Sequence, residues 1–371
     1  MHRWRHPLPW LSVLLFSLNV AIAWRMFHVE YLSQTGTGVG VIIAYARYAR
    51  DYWPDVNWCR FWYGGLPFRN AYVPGLPLTA AVVSALLHIS AGRAFYLLVS
   101  SMYCLGPVTL FWMAFRLSRA MSWSFCAGLA YSLVSPSAFL VPEIRRDLGS
   151  LFWNQRLHTM AGYSDNPHVS SLTLLPLAIL ALDVALEKRR PFYFVAAALA
   201  LAAVPLTNWP GAIALSFAVV AYGLSRRKSA WLSIAAIGVL GYALAVTWIP
   251  PSTVLATQAD TQGFAPANRF GAHHLIYVMA LIVLTWLLVR LTARLPVHLR
   301  FFLLFFFFMA AVTLSWYELH VTLLAQPWRF HLAMEMGFTL SCVFGLRLLV
   351  GRWTVLKRPL VLAFAILCVV Q

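Results

Sequence analysis

The sequence predicts an all-α protein, a polytopic transmembrane helical bundle, and two observations support this. Hydrophobic residues make up 61% of the 371 residues and charged residues only 11%, whereas a soluble protein carries roughly 25% charged residues. Apolar runs of about 18 to 20 residues recur along the whole chain, and each is long enough to cross the ~30 Å hydrocarbon core of a bilayer. The chain is therefore predicted to be an integral, multi-pass membrane protein that contacts the lipid bilayer.

Eleven apolar runs are the candidate spans, and they form one predicted transmembrane domain over residues 1–371. A further apolar piece, 75–92, is interrupted by Pro77 and ends in His88, so it is predicted to be a re-entrant or interfacial hairpin. In chain order the eleven runs are approximately 8–27, 95–115, 121–141, 171–186, 191–206, 210–225, 231–249, 274–290, 300–316, 330–349 and 359–371.

Basic residues predict the orientation of these spans. Lys and Arg form short clusters between the apolar runs, and the positive-inside rule places such clusters in the cytoplasm. All of them are cytoplasmic if the N-terminus is inside and 75–92 enters and leaves on one face. A full crossing by 75–92 is the alternative, and it requires one further break later in the chain. The clusters are Arg3/Arg5, Arg116/Arg119, Lys188–Arg190, Arg226–Lys228, Arg290/Arg294/Arg300 and Arg347/Arg352/Lys357/Arg358.

The formal net charge of +17 follows from this topology and does not indicate nucleic-acid binding. A nucleic-acid surface would carry a basic stripe with stacking aromatic residues, and no such stripe is present in the sequence. The five cysteines form no C-x-x-C pair, so no disulfide framework is predicted. Protein partners are not indicated by any segment.

Acidic residues collect on the external side of the predicted bundle, where 28–74 is a large first loop and 142–170 a second loop. Few ionisable residues lie inside the spans, where a transporter usually keeps its coupling site. Glu335 is the one acid well inside a run, and Asp183 is interpreted as part of a solvated helix end. Eight of the eleven acids are external: Glu30, Asp51, Asp55, Glu143, Asp147, Asp165, Asp260 and Glu318.

The first external loop holds candidate catalytic carboxylates. Glu30 lies just past the first predicted span, and a carboxylate at a membrane boundary is partly desolvated, which suits a general base or a metal ligand. The alternative is an interfacial acid paired with Arg25. Asp51 or Asp55 is the candidate partner of Glu30. A short amphipathic helix is predicted over 41–52, and it is followed by residues that suit either a sugar site or an interface belt: Trp58, Arg60, Tyr63 and Tyr72.

The second external loop and a later turn supply further candidates. Asp165 and His168 precede a predicted span, so Asp165 is either the N-cap of that helix or, with His168, an acid, base or ligand. Arg329 opens a helix from the external side, where it either binds a lipid phosphate or extends to the headgroups. Loop arginines suit a phosphate or pyrophosphate group, and these are Arg145, Arg146 and Arg156.

Motifs of soluble nucleotide enzymes and hydrolases are absent from the sequence. It contains no P-loop, no dinucleotide-binding glycine fingerprint, no H-E-x-x-H and no G-x-S-x-G. An enzyme in this chain would therefore need a substrate that is already activated and already in the membrane.

The order of these segments resembles the GT-C superfamily of integral-membrane glycosyltransferases, in which a basic N-terminus and one span precede a large external loop with the catalytic acid. The stretch W-Y-G-G-L-P-F-R-N-A-Y-V-P-G-L-P is similar to the segment where such loops return to the membrane. D-N-P-H-V-S-S-L and Q-P-W-R-F are similar to segments of a bacterial membrane-protein group labelled "6-pyruvoyl-tetrahydropterin synthase-related", which we do not take to mean pterin chemistry. The resemblance is most specific over 53–78.

This resemblance implies inverting transfer of a sugar from a polyprenyl-phosphate donor to an acceptor hydroxyl on the external or periplasmic face of the plasma (inner) membrane. Glu30 is the best-placed match to the catalytic acid, and Asp55 and Asp165 are further catalytic candidates. Many family members carry paired acids where this chain has a lone Glu, so a divalent cation (Mg²⁺ or Mn²⁺) stays open as cofactor, with Glu30, Asp165 and His168 as its ligands. Two alternatives are a non-catalytic protein of the same fold that binds or flips lipid-linked saccharides, and a secondary transporter.

Overall fold

The computed structural model describes residues 7–31, 37–60, 64–68, 73–150, 153–226, 230–256 and 272–351. Over these residues the regular secondary structure is helical apart from one short antiparallel ladder, so the all-α class is confirmed. Five helices in the described part are long and apolar enough to cross a membrane, judged by length and composition. These helices support a multi-pass membrane protein. The predicted span over 359–371 lies outside the described residues.

The helices are labelled here in chain order, with two short 3₁₀ helices at Trp24–His28 and Pro327–Phe330. The ladder pairs β1 (Trp58–Cys59) with β2 (Leu66–Pro67). The α-helices are α1 Pro7–Ile22, α2 Thr37–Tyr52, α3 Gly75–Leu87, α4 Ala91–Ser118, α5 Met121–Leu133, α6 Pro136–Leu140, α7 Pro142–Leu148, α8 Gln155–Ala161, α9 Asn166–Lys188, α10 Pro191–Thr207, α11 Trp209–Ser225, α12 Trp231–Ala245, α13 Ala272–Leu291, α14 Val297–Leu319 and α15 His331–Val350.

The five span-length segments are α4, α9, most of α13, α14, and α15 together with the 3₁₀ turn before it. Burial differs widely among them: 72% of the apolar window of α4 is buried but only 6% of that of α13. The shorter apolar helices α1, α3, α10, α11 and α12 have 10–17 residues, fewer than the ~20 of a straight crossing. The predicted number of eleven spans therefore stays a prediction.

The chain divides into two compact units, each made of three segments. Unit 1 comprises Met1–Thr109, Arg156–Ala212 and Ile237–Val254. In it α2 packs on α3, α10 packs on α3, and α9 packs on α10. Unit 2 comprises Leu110–Gln155, Ile213–Ala236 and Leu255–Gln371. In it α15 packs on α14, α5 and α6, and α13 packs on α14.

Small residues let neighbouring backbones approach closely inside each unit. In unit 2, a Cβ at Gly337 of α15 would stand 2.7 Å from the Cα of Phe306 in α14. In unit 1, a Cβ at Gly75 would stand 2.6 Å from the Leu206 carbonyl oxygen of α10. Because hydrocarbon offers no hydrophobic drive between membrane helices, such close packing contributes much of their association.

Three interpretations of the sequence are corrected by the structure. The predicted span over 121–141 is two helices, α5 and α6, because the chain is extended at Val134 and Pro136, which lacks an N–H, starts a new helix. Pro77 does not divide 75–92, because it lies in the first turn of α3, where proline is tolerated. Segment 75–92 is thus one helix of 13 residues joined to the start of α4. Asp183 is buried in α9 rather than solvated.

Candidate functional site

Glu30 lies at the start of the first loop, where its backbone contacts the first turn of α4. Gly92 allows this approach, because a Cβ there would stand 2.8 Å from the Glu30 carbonyl oxygen. Arg93 donates a 3.4 Å hydrogen bond to the adjacent Val29 carbonyl. The Glu30 side chain itself is exposed. The backbone contacts therefore hold this carboxylate at the head of the loop while leaving it accessible.

The rest of the first loop is folded against α3. Phe68 makes an edge contact with Tyr45 at 5.3 Å between ring centroids, and the Tyr48 hydroxyl donates a 2.5 Å hydrogen bond to the Trp58 carbonyl. The helix predicted over 41–52 is confirmed as part of α2. Its inner face contributes to one buried cluster, formed by Tyr45, Tyr48, Ala49, Val56, Cys59, Phe68 and Ala81.

Three predicted site residues act on Tyr48: Trp58 through a hydrogen bond, and Asp55 and Arg60 through their charges. Burial raises the Tyr48 pKa above its ordinary value, and the charges of Cys59 and Asp55 raise it further, whereas Arg60 lowers it. Asp55 and Arg60 therefore act electrostatically on the same hydroxyl that fixes the Trp58 backbone. Asp55 and Arg60 are exposed, so a charged pair of opposite sign borders this part of the loop.

The Trp58 indole packs on a glycine of the turn between β1 and β2. Gly65 has a φ of +114° and no room for a side chain, because a Cβ would stand 2.3 Å from the indole nitrogen. Asp51 lies 2.8 Å from the Arg50 guanidinium and 3.6 Å from that of Arg47. Asp51 is therefore engaged by its own helix and less suited to assist Glu30 than Asp55. The predicted residues Tyr63 and Tyr72 lie outside the described residues.

Asp165 and His168 lie in different surroundings at the start of α9, and their action as an acid–base pair stays a prediction. Asp165 occupies the predicted N-cap position of α9, with Pro167 in the first turn, but its side chain makes no capping hydrogen bond. His168 is fully buried, and its Nδ1 lies 3.3 Å from the Asn208 side-chain oxygen. The same oxygen accepts the backbone N–H of Gly211 at 3.2 Å. His168 therefore stabilises the turn between α10 and α11, while Asp165 is half-buried at the start of α9.

A buried polar face of α9 follows Asp165, and sequence reasoning missed it. Asn166, Ser170 and Thr173 are four and three residues apart and at most 2% exposed, so they share one face of the helix. Both polar atoms of the Asn166 amide and the Ser170 hydroxyl have no hydrogen-bond partner among the described residues. Buried polar groups are normally satisfied by protein, water or ligand. The face is therefore a place where water or a polar ligand would be stabilised.

A buried arginine lies beside this face. Arg156 is 2% exposed, donates a 2.7 Å hydrogen bond to the Tyr103 carbonyl and covers the Tyr103 ring at 4.5 Å. Gly106 leaves room for it, because a Cβ there would stand 2.6 Å from the guanidinium and 3.1 Å from the Thr173 hydroxyl. Arg156 is thus next to α9 and not on the loop surface where the sequence suggested a phosphate site.

The other predicted arginines belong to unit 2. Arg145 and Arg146 are exposed on the short helix α7, and Arg146 forms a 2.7 Å ion pair with Glu143. Arg329 is half-buried in the 3₁₀ turn before α15. The predicted carboxylates Glu30, Asp55 and Asp165 all belong to unit 1. The three predicted carboxylates thus belong to unit 1, and these three arginines belong to unit 2.

Unit 2 contains a buried carboxylate network. Glu335 is 1% exposed and accepts hydrogen bonds from the backbone N–H and the hydroxyl of Ser137 in α6. One turn earlier in α15, His331 Nδ1 lies 2.6 Å from the Trp328 carbonyl, which makes Nδ1 the protonated nitrogen. Its Nε2 then accepts from the Gln155 amide at 3.3 Å. The position of Glu335 inside an apolar run was the only signal of this network in the sequence.

No metal centre is formed by the described part of the chain, where no three His, Cys, Asp or Glu side chains come close enough to hold an ion. Glu30, Asp165 and His168 therefore do not form a preassembled ligand set, because His168 is turned into the protein interior toward Asn208. Metal binding by these residues stays a prediction.

No protein-family model matches the chain, and no curated protein matches it. The functional argument therefore depends on the residues and geometry described above.

Proposed function

We propose that this protein is a membrane glycosyltransferase that moves a sugar from a polyprenyl-phosphate donor to an acceptor hydroxyl at the external or periplasmic face of the plasma (inner) membrane, with its N-terminus in the cytoplasm. The observation that carries the proposal is the half-buried Asp165 at the start of α9, next to an Asn166 amide that is buried without partners. A partly desolvated carboxylate beside buried polar groups suits a general base and a polar substrate.

The first loop supports the same proposal. Asp55 and Glu30 are accessible carboxylates of the same unit. The exposed Trp58 ring, held on Gly65, offers an aromatic face on which a sugar ring could pack. A lipid-linked donor needs no soluble nucleotide domain, which agrees with the motifs absent from the sequence. The GT-C resemblance stays part of this proposal.

In the proposed reaction Asp165 removes the proton of the acceptor hydroxyl. The acceptor oxygen then forms a bond to the anomeric carbon while the bond from that carbon to the donor phosphate breaks, which inverts the anomeric configuration. The phosphate leaves on the polyprenyl lipid with the bonding electron pair, and the acceptor proton remains on the carboxyl group. Glu30 and Asp55, which are exposed carboxylates of the same unit, are assigned the role of orienting the acceptor.

Transfer from labelled polyprenyl-phosphate sugars in membranes expressing the protein tests this assignment. Asp165→Asn should reduce the transfer rate by about 10²- to 10⁴-fold, the usual contribution of a positioned base, and Glu30→Gln and Asp55→Asn should reduce it less. Asp51→Asn is the matched control, because the Asp51 carboxylate is engaged by Arg47 and Arg50. Undiminished transfer by the Asp165, Glu30 and Asp55 variants would remove the assignment of these residues.

A second candidate is a non-catalytic protein that binds or flips lipid-linked saccharides. The observation that favours it is the exposure of Glu30 and Asp55, since catalytic carboxylates are more often partly desolvated. This candidate predicts saturable binding of the lipid-linked sugar without turnover, weakened by Arg145→Gln, Arg146→Gln or Arg329→Gln. Turnover by the purified protein would exclude it.

A further inference from the structure

Unit 2 contains a cavity of about 430 Å³ that none of the candidate site residues lines. It lies where α4 ends, α14 begins and α15 ends. Its polar side chains are Ser118, His298 and Arg347, and its apolar wall includes Leu299, Phe344 and Leu348. A lining that combines these polar and apolar side chains matches a molecule with a charged head and a hydrocarbon tail.

Aromatic contacts fix the polar side of this cavity. The His298 ring packs edge-on against Phe344 at 5.5 Å and against Phe302 at 6.1 Å between centroids. Pro296 precedes α14 and gives it no side-chain cap. The first backbone N–H groups of that helix therefore have no intrahelical acceptor and carry the positive end of its dipole. Arg347 adds a full positive charge at the same cavity.

Arg347 is the one charged residue among the described residues that line the cavity. None of its lining residues is acidic, and the sequence contains no acid between Asp260 and Glu318 or after Glu335. Arg300 lies one turn into α14, where it donates to the Leu224 carbonyl at 3.3 Å. An anionic group would therefore be attracted here, and basic pockets between the ends of membrane helices commonly hold anionic headgroups.

We propose that this cavity binds the phosphate headgroup of an anionic phospholipid from the adjoining leaflet. Arg347 and the first turn of α14 hold the phosphate, and an acyl chain follows the wall formed by Leu299, Phe344 and Leu348. The apolar wall selects a lipid over free phosphate. This site is independent of the proposed transferase centre, because its residues take no part in that reaction.

Calorimetric titration of the purified full chain in a neutral detergent tests the proposal, with dioctanoyl phosphatidylglycerol as the probe. Dioctanoyl phosphatidylcholine and inorganic phosphate are the two comparison ligands. Arg347→Gln should weaken phosphatidylglycerol binding about tenfold or more, as expected for the loss of a charge-assisted hydrogen bond. Arg190→Gln is the matched control, because it removes an exposed arginine of unit 1 and should leave the affinity unchanged.

A second variant separates a specific site from general attraction to positive charge. Ser118→Trp fills the cavity without changing charge, so it should also weaken phosphatidylglycerol binding about tenfold. Thermal unfolding of each variant without lipid verifies that it is folded, and an unfolded variant is replaced by Arg347→Met or Ser118→Leu. Equal binding of phosphatidylcholine, equal binding of inorganic phosphate, or unchanged affinity in the Ser118 variant would each overturn the proposal.

Discussion

At the scale of single residues, hydrogen-bond satisfaction decides what each buried polar group contributes. Ser137 and Ser341 are both buried serines of unit 2. The Ser137 hydroxyl donates to the Glu335 carboxylate, whereas the Ser341 hydroxyl has no partner among the described residues. Removing a donor from a buried carboxylate leaves a desolvated acceptor, but removing an unpartnered hydroxyl leaves nothing unsatisfied.

This contrast predicts opposite outcomes for one chemical change. Ser137→Ala should lower the free energy of unfolding by about 1–3 kcal/mol, because Glu335 loses a donor. Ser341→Ala should be neutral or slightly stabilising, since alanine has the higher helix propensity. Denaturant unfolding of both variants in the same detergent measures the difference. An equal loss of stability in the two would show that the hydrogen bond to Glu335 is not the cause.

At the scale of elements, the first loop is held by the aromatic cluster beneath α2. The Tyr45 side chain is buried in this cluster beside Phe68 and Cys59. Burial raises the Tyr45 pKa above its ordinary value of 10.0, and Cys59 raises it further. The folded protein thus favours the neutral phenol, so docking of α2 depends on that hydroxyl staying protonated.

The raised pKa of Tyr45 predicts that the folded first loop loses stability at alkaline pH. Because the folded-state pKa of Tyr45 exceeds the unfolded value, its contribution to stability is complete below about pH 10 and is lost as pH rises through the folded-state value. Tyr45→Phe should therefore show a smaller fall in unfolding temperature between pH 9 and pH 11 than the natural protein. Tyr31→Phe changes an exposed ring, so its unfolding temperature should fall between pH 9 and pH 11 as steeply as that of the natural protein.

At the scale of the whole molecule, the arrangement of basic clusters predicts which ends of the spans face the cytoplasm. The helix α4 has 28 residues, or roughly 42 Å at 1.5 Å per residue, which is more than the hydrocarbon core requires. Ser90 precedes it and Ser118 ends it, so these two positions lie at opposite ends of one candidate span.

Cysteine mapping of these two positions tests the orientation. In a background without the native cysteines, Ser90→Cys should react with an impermeant thiol reagent from outside, and Ser118→Cys only from the cytoplasmic side. This outcome follows if the N-terminus is inside and 75–92 does not cross. Labelling of Ser90→Cys from the cytoplasm, with Ser118→Cys labelled from outside, would instead show that α3 crosses the membrane.

Local sequence patterns predicted much of the fold but little of the interior chemistry. The spacing of apolar residues predicted α2, and the length of the apolar runs predicted the long spans, because both are local properties of the sequence. The contact between Ser137 and Glu335 joins residues 198 positions apart, and no local pattern indicates it. The D-x-x-H spacing suggested that Asp165 and His168 act together, yet the structure turns His168 toward Asn208. The contacts of Glu335 and His168 therefore depend on tertiary packing, which the spacing of residues in the sequence does not predict.

Because few residues of α13 are buried, the position of this helix depends more on the lipid around it than on the helices beside it. Only 6% of the residues in its apolar window are buried by the described part of the protein, so most of the window is open to acyl chains in a bilayer. Replacement of native lipid by a short-chain detergent should therefore weaken the packing of α13 before that of the other long helices. In a bilayer, the thickness of the hydrocarbon core should influence the tilt of α13. Its outer face is accordingly free to vary in evolution among Leu, Ile, Val and Phe without loss of the fold.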